Sequence, residues 1–252
     1  MISKNGTEIK SLDEWFRLAP PKRSNQWVEG RSAMELARNW LDGLPVEVQH
    51  AIQSHPSFGP IHDWTAEPEV ALPFDTFAGE PRNSDLVVTA TDTHGAFLIG
   101  VEGKADEEFD KLLPDCFAAS LEAKLKNQRS NRLARLEFLT QALFEVKQRG
   151  EPSVKFIRYQ LLTGCAGVLA EAIRSNIRRA VFLIHEFRTV LTDDAKHYSN
   201  GVDLDNFVLR LSRSTRRGVT AGQVIGPISL PKQSAFSNGV ELYIGKVLKD
   251  LR

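Results

Sequence analysis

Three side chains stand at a spacing suited to hydrolysis: Asp85, at the head of one apolar run, and Glu102 and Lys104, at the tail of the next. Side chains two apart on a strand share a face, so Glu102 and Lys104 project together. Asp85 begins its strand near where an antiparallel neighbour ends, so the two carboxylates and the amine can converge. Two carboxylates in one notch repel unless a cation sits between them. Mg²⁺, a hard ion that takes oxygen ligands and keeps some of its water, is the matching occupant, and Mn²⁺ is an alternative. An ammonium beside it can orient a metal-bound water and screen charge that builds on a phosphorus centre. Gly103 leaves its backbone open, and its carbonyl is a further candidate ligand.

The E-x-K pattern alone carries little. It occurs four times, starting at Glu8, Glu102, Glu122 and Glu145. The matches at 122 and 145 lie in helical patterns, where residues two apart do not face each other. Glu8 follows no strand. Only Glu102 closes an apolar strand with an acid opening the strand before it. The competing reading is a surface ion pair.

The elements that must position these groups follow from periodicity. Ser32 and Glu35 form an S-x-x-E capping box that opens a helix through Leu41, and Gly43 and Pro45 end it. Residues 53–68 read as a loop and 69–74 as a weak strand. Residues 85–91 and 96–102 are two firmer strands, joined through Asp92-Thr93-His94-Gly95, which has hairpin chemistry. Helical periodicity runs from about 106 to 176, broken at Gly150-Glu151-Pro152, with a last helix over 154–175. Residues 180–184 are wholly apolar and β-branched, as in a strand buried on both faces. A helix over 203–211 and edge strands at 228–230 and 242–248 complete the chain. The order predicts one α/β domain over 1–252: an N-terminal lead (1–31), a core (32–190), and a C-terminal helix with edge strands (191–252).

Composition narrows the function classes. The 252 residues are 42% hydrophobic and 25% charged, enough for a sizeable core. Two cysteines allow neither a disulfide framework nor a cysteine-cluster zinc site. No secretory signal or membrane-length apolar run is present, so a cytoplasmic setting without membrane contact is expected. The six histidines show no zinc spacing; His185, after a buried strand, reads as structural, and His55 and His62 lie in a loop. The four tryptophans read as core residues. No Walker loop, G-x-G-x-x-G or nucleophile elbow occurs.

Net charge is zero but segregated: residues 1–120 hold 10 basic and 20 acidic side chains, and residues 121–252 hold 22 and 12. One fold made of both parts can set a basic surface against an acidic pocket, or can simply solvate its helices. The densest basic stretch, 210–218, contains Arg213, Arg216 and Arg217 and has little aromatic interleaving. It suits phosphate contact rather than base stacking.

The segments around these residues, Pro81-Arg82-Asn83-Ser84-Asp85 and Val101-Glu102-Gly103-Lys104-Ala105-Asp106-Glu107, resemble the PD-(D/E)XK nuclease superfamily, and within it an uncharacterised bacterial family. The resemblance extends to residues 27–33, 158–162 and 180–185. It implies a restriction-endonuclease-like mixed sheet with an α-β-β-β-α-β core and helices on both faces. It also implies Mg²⁺-dependent phosphodiester hydrolysis, of DNA more than RNA. By position, Asp85 and Glu102 match the metal-binding acids and Lys104 the catalytic lysine. Glu35 matches an acid that some members add on the first helix, and Arg158 and Gln160 resemble auxiliary site residues. The motif proline stands four residues before Asp85. The fold also hosts proteins that bind without cutting, so a nucleic-acid- or partner-binding role in defence or repair is the alternative, and a purely structural role for the acids is a third. Phosphate-dominated contact predicts weak sequence preference and steep salt dependence. A homodimer is left open.

Overall fold

A computed structural model describes residues 1–126, 130–237 and 239–252. The elements, in order, are β1 (Ser3–Lys4), β2 (Thr7–Glu8), α1 (Leu12–Leu18), α2 (Ser32–Leu41), α3 (Val46–Gln53), β3 (Asp63–Leu72), β4 (Arg82–Asp92), β5 (Gly95–Lys104), α4 (Leu113–Leu125), α5 (Arg132–Leu143), α6 (Tyr159–Arg174), β6 (Arg179–Arg188), α7 (Asp194–Leu211), β7 (Gln223–Ile228) and β8 (Glu241–Asp250). Six strands form one mixed sheet, ordered β3-β4-β5-β6-β8-β7. β3, β4 and β5 form an antiparallel meander; β6 runs parallel to β5, and β8 parallel to β6. A mixed α/β architecture is therefore present.

Strand alternation divides the core into two layers. Ile99, Val181 and Tyr243 face Trp15, Trp40 and Ile52 of α1–α3. Leu98, Phe182 and Ile244 face Leu161, Leu169 and Phe207 of α6 and α7. β6 is buried along nearly its whole length, as its apolar run demands.

Several expectations need correction. The capping box does not form: the N-cap is Arg31, Ser32 Oγ bonds Glu107, and Glu35 reaches back to the Gly30 N–H. Pro45 starts α3 rather than only ending α2, because its fixed φ of −59° suits a helix entrance. The weak strand expected at 69–74 is the end of the ten-residue β3, which stops at Leu72 and takes in 63–68 of the expected loop. The helix expected at 203–211 starts at Asp194, capped by Asp193, whose side chain accepts the Ala195 N–H. Most consequential, the segment expected as an edge strand at 242–248 is β8, an interior strand between β6 and β7. The C-terminal part is thus a structural portion of the sheet.

Candidate functional site

One irregularity builds the site. β3 and β4 pair Pro68 with Leu86 and Val70 with Ser84, leaving Glu69 and Asp85 facing each other outside the ladder. Glu69 has φ +50°, a left-handed conformation uncommon outside glycine. Both strands switch faces here. Ala66, Leu86 and Val88 pack on the α1–α3 side, whereas Leu72 and Val70 pack on the other. Arg82 Cγ lies on that second side too, 3.5 Å from where a Cβ of Gly167 on α6 would stand. Pro68, with no N–H to give, sits beside the break.

The β4–β5 ladder ends at Leu86–Val101, and the carboxylate of Asp85 takes over: its Oδ2 accepts the Gly103 N–H at 2.8 Å. Among the described residues its Oδ1 accepts no hydrogen bond. Burial and the Glu102 charge raise the Asp85 carboxyl well above the usual carboxylate range. Burial also lifts Glu69 to about 7, against the Asn83 hydrogen bond and the charges of Lys4 and Arg82.

Glu102, on β5, is the hub. Its Oε1 accepts from Lys104 Nζ at 3.0 Å and from Gln160 Nε2 at 2.5 Å, and its Oε2 pairs with Arg82. Burial pushes this carboxyl up, but Arg82 and Lys104 outweigh it and hold it below its ordinary value. Lys104 Nζ also donates to Gln160 Oε1 at 3.0 Å and lies 5.1 Å from the Phe109 ring. Gln160 stands in the first turn of α6. That helix approaches closely because Gly164 has no side chain: a Cβ there would fall 2.5 Å from the Phe182 ring.

Three of the residues singled out in the sequence, Glu102, Lys104 and Gln160, are therefore in mutual hydrogen bonding, with Asp85 on the adjacent strand. Others point elsewhere. Glu35 is buried on α2, where it accepts from Gly30 N–H at 2.8 Å and from Arg38 at 3.0 Å. Arg158 clamps Asp203 at 2.7 Å and the Asp110 carbonyl at 3.1 Å, tying α7 to the segment before α4. Arg213 pairs with Glu145 at 2.5 Å. Arg216 is exposed, and its charge is felt by His55, which bonds Gly226 on the edge strand β7. The loop of Arg213, Arg216 and Arg217 thus lies toward the far edge of the sheet from Asp85. His185 is buried between Trp40 Nε1 and Glu47, as a structural histidine is, and burial lowers its imidazole below the usual value against the pull of Glu47.

Sequence reasoning missed Glu69 and Arg82. Arg82 draws down the carboxyls of Glu69, Asp85 and Glu102 alike. Signals were available: Arg82 lies inside the motif segment, and Glu69 flanks a strand proline. Also missed was the cationic cavity of about 620 Å³ beside the hub, whose wall includes Lys22, Arg23, Arg82, Lys111, Arg132 and Arg135 against two acids, Glu80 and Asp110. Basic charge is gathered here from both halves of the chain.

Residues 8–251 match the model of a family described as a domain of unknown function, DUF6946. The chain belongs to that family. No curated protein and no solved structure matches it.

In this DUF6946 chain no three Asp, Glu, His or Cys side chains converge on one ion among the described residues. The donor set still suits Mg²⁺, which commonly takes one or two carboxylates and completes its shell with water and substrate oxygens. All the acids offer hard oxygen, and Asp85 keeps one oxygen uncommitted. Glu102 can join only when Arg82 releases Oε2. Among the described residues no helix is long and apolar enough to cross a membrane.

Proposed function

We propose that this protein is a metal-dependent phosphodiesterase of the PD-(D/E)XK type, acting on DNA more than RNA. The observation that carries the reading is the Glu102–Lys104–Gln160 hydrogen-bonded cluster, set across from Asp85 where two antiparallel strands part. The element order supports the reading once α3, α4 and α5 are taken as additions: α2, then β3-β4-β5, then α6 and the parallel strand β6. Asp85 and Glu102 would hold Mg²⁺ or Mn²⁺, which supplies Lewis acidity and an activated water.

The chain's own residues do the positioning. Gly103 N–H fixes one Asp85 oxygen, and the other accepts no hydrogen bond among the described residues. Gln160 bridges Glu102 and Lys104, holding the ammonium at a set point rather than leaving it a flexible stem. Lys104 is enclosed beside Phe109, a low-dielectric setting in which an ammonium acts on a developing phosphate charge more strongly than in water. The cationic cavity next to Arg82 and Gln160 suits a polyanion.

A second reading, a nuclease-like protein that binds without cutting, is favoured by one feature. Arg82 pairs with Glu102, which is the ion pair expected where no metal is used, and a purely structural role for the acids expects the same pair. A cleavage assay separates the two. Wild type and Lys104→Ala are compared with Mg²⁺ and Mn²⁺ on single- and double-stranded DNA and on RNA. The hydrolytic reading expects the variant to lose roughly 10²–10³-fold in rate, the scale of removing one charge-stabilising donor. Equal rates refute the mechanism, and binding with no turnover by wild type supports the second reading.

A further inference from the structure

We propose that the cavity beside Glu102 receives a phosphomonoester borne by a nucleotide, presented at the end of a nucleic-acid strand. Hydrolysis would then begin from strand ends; that consequence rests on the phosphodiesterase reading, whereas the binding does not.

The argument begins with charge. Of the cations on the wall, Lys22 is paired with Glu80 at 2.5 Å and Arg135 with Asp75 at 2.6 Å. Arg23, Lys111 and Arg132 have no carboxylate partner among the described residues, yet they line the same cavity from three separate parts of the chain. Like charges held around one hollow repel unless an anion sits among them. The first turn of α6, a 16-residue helix, also lines it through Tyr159 and Gln160 and presents the positive end of the helix dipole. An anion is what this arrangement accommodates.

Shape narrows the anion. The wall is drawn from the segment before α2, the β3–β4 connection, α4, α5 and α6, so the space is bounded on several sides. About 620 Å³ falls in the range of roughly 300–1,000 Å³ typical of sites for single small ligands, too little for a duplex to run through. Phe74 and Tyr159 add aromatic surface for a base. A monoester carries up to two charges against one for an internal diester, and so answers three free cations better. Arg82 and Gln160 belong both to this wall and to the Glu102 cluster, so a strand end seated here lies next to the proposed scissile position.

The test is binding in EDTA, measured by calorimetry. The ligands are 5′-phosphorylated, 3′-phosphorylated and unphosphorylated short oligothymidylates, together with thymidine monophosphate. The proteins are wild type, Lys111→Ala/Arg132→Ala and Arg23→Ala; all three side chains are exposed, so the fold should survive, and circular dichroism checks it. One phosphorylated strand should bind at least about tenfold more tightly than the unphosphorylated one, and the double variant should lose that preference. Equal affinity for phosphorylated and unphosphorylated strands, or a preference unchanged in the variants, overturns the proposal. Thymidine monophosphate binding as tightly as the phosphorylated strand overturns the strand-end source and leaves a free nucleotide as the ligand. Turnover with Mg²⁺ is read separately. Phosphate-dependent binding without turnover upholds the cavity while refuting the phosphodiesterase. Cleavage of circular strands as fast as phosphorylated linear ones upholds the phosphodiesterase while refuting end-directed action.

Discussion

Replacing Arg82 by alanine tests whether its guanidinium stands where a cation would. Arg82 is the shared counter-charge of Glu69, Asp85 and Glu102, and its side chain is 15% exposed against 2% for Glu102. Removing one partner of a buried pair costs about 3–5 kcal/mol. Glu102 keeps Lys104 and Gln160, and Arg82 meets some solvent, so the loss should be nearer 2–3 kcal/mol, about 5–10 °C in Tm for a chain of this size. Mg²⁺ should then recover most of it: a ligand at a hundred times its Kd stabilises by about 2.7 kcal/mol. The assay is scanning calorimetry of wild type and Arg82→Ala in EDTA and across a Mg²⁺ titration. The variant should gain more from Mg²⁺ than wild type, where the ion must first displace the guanidinium. Adding Glu102→Gln should abolish the gain and reveal a coupling of about 0.5–3 kcal/mol between the two sites. A variant that gains no more from Mg²⁺ than wild type refutes the reasoning.

Other predictions follow from the same geometry. Gln160→Ala should slow cleavage through a looser Lys104, whereas Arg158→Ala should act on thermal stability, since it parts α7 from the segment before α4; comparable losses of rate at unchanged Tm in both would contradict this. Gly164→Ala should cost about 1–3 kcal/mol, because its Cβ must push α6 away from Phe182, and the rate should fall with it as Gln160 recedes. The triple change Arg213→Ala, Arg216→Ala and Arg217→Ala should weaken DNA binding less than Lys111→Ala/Arg132→Ala, as read by the salt dependence of affinity. Asp92, bonded by Arg179, Gly59 and His94, is held at about 2 despite burial. A depressed folded pKa contributes stability above the unfolded value near 3.8, and that stability is lost as pH falls toward 2. Asp92→Asn should therefore lower Tm at neutral pH and flatten the acid limb in that window.

Where local pattern dictates local structure, the sequence was legible. The Asp92–Gly95 turn joins β4 to β5 as its residues require, with Gly95 at φ +105°. Residues 180–184 are a buried strand because an all-apolar run has no polar face to turn to water. The strand parity of Glu102 and Lys104 put both on the α6 side, and strand context told this E-x-K match from the one on α4; of the other two, Glu8 ends β2 instead of following no strand, and Glu145 lies past the end of α5 instead of in a helix.

What the chain does not announce is whatever depends on partners distant in sequence. β8 is interior because β7 covers it, a fact of strand order that no periodicity encodes. Glu69 meets Asp85 only because both strands switch face at one register step. The basic residues nearest the site are not those densest in sequence: Arg213, Arg216 and Arg217 adjoin one another on the chain but lie toward the far sheet edge, while Lys22, Arg82, Lys111 and Arg132 are scattered and meet around one cavity. Local sequence sets backbone state and side-chain parity through sterics and the aversion of apolar groups to water. Which charges share a hollow is set by how strands and helices pack, and so by the whole chain at once.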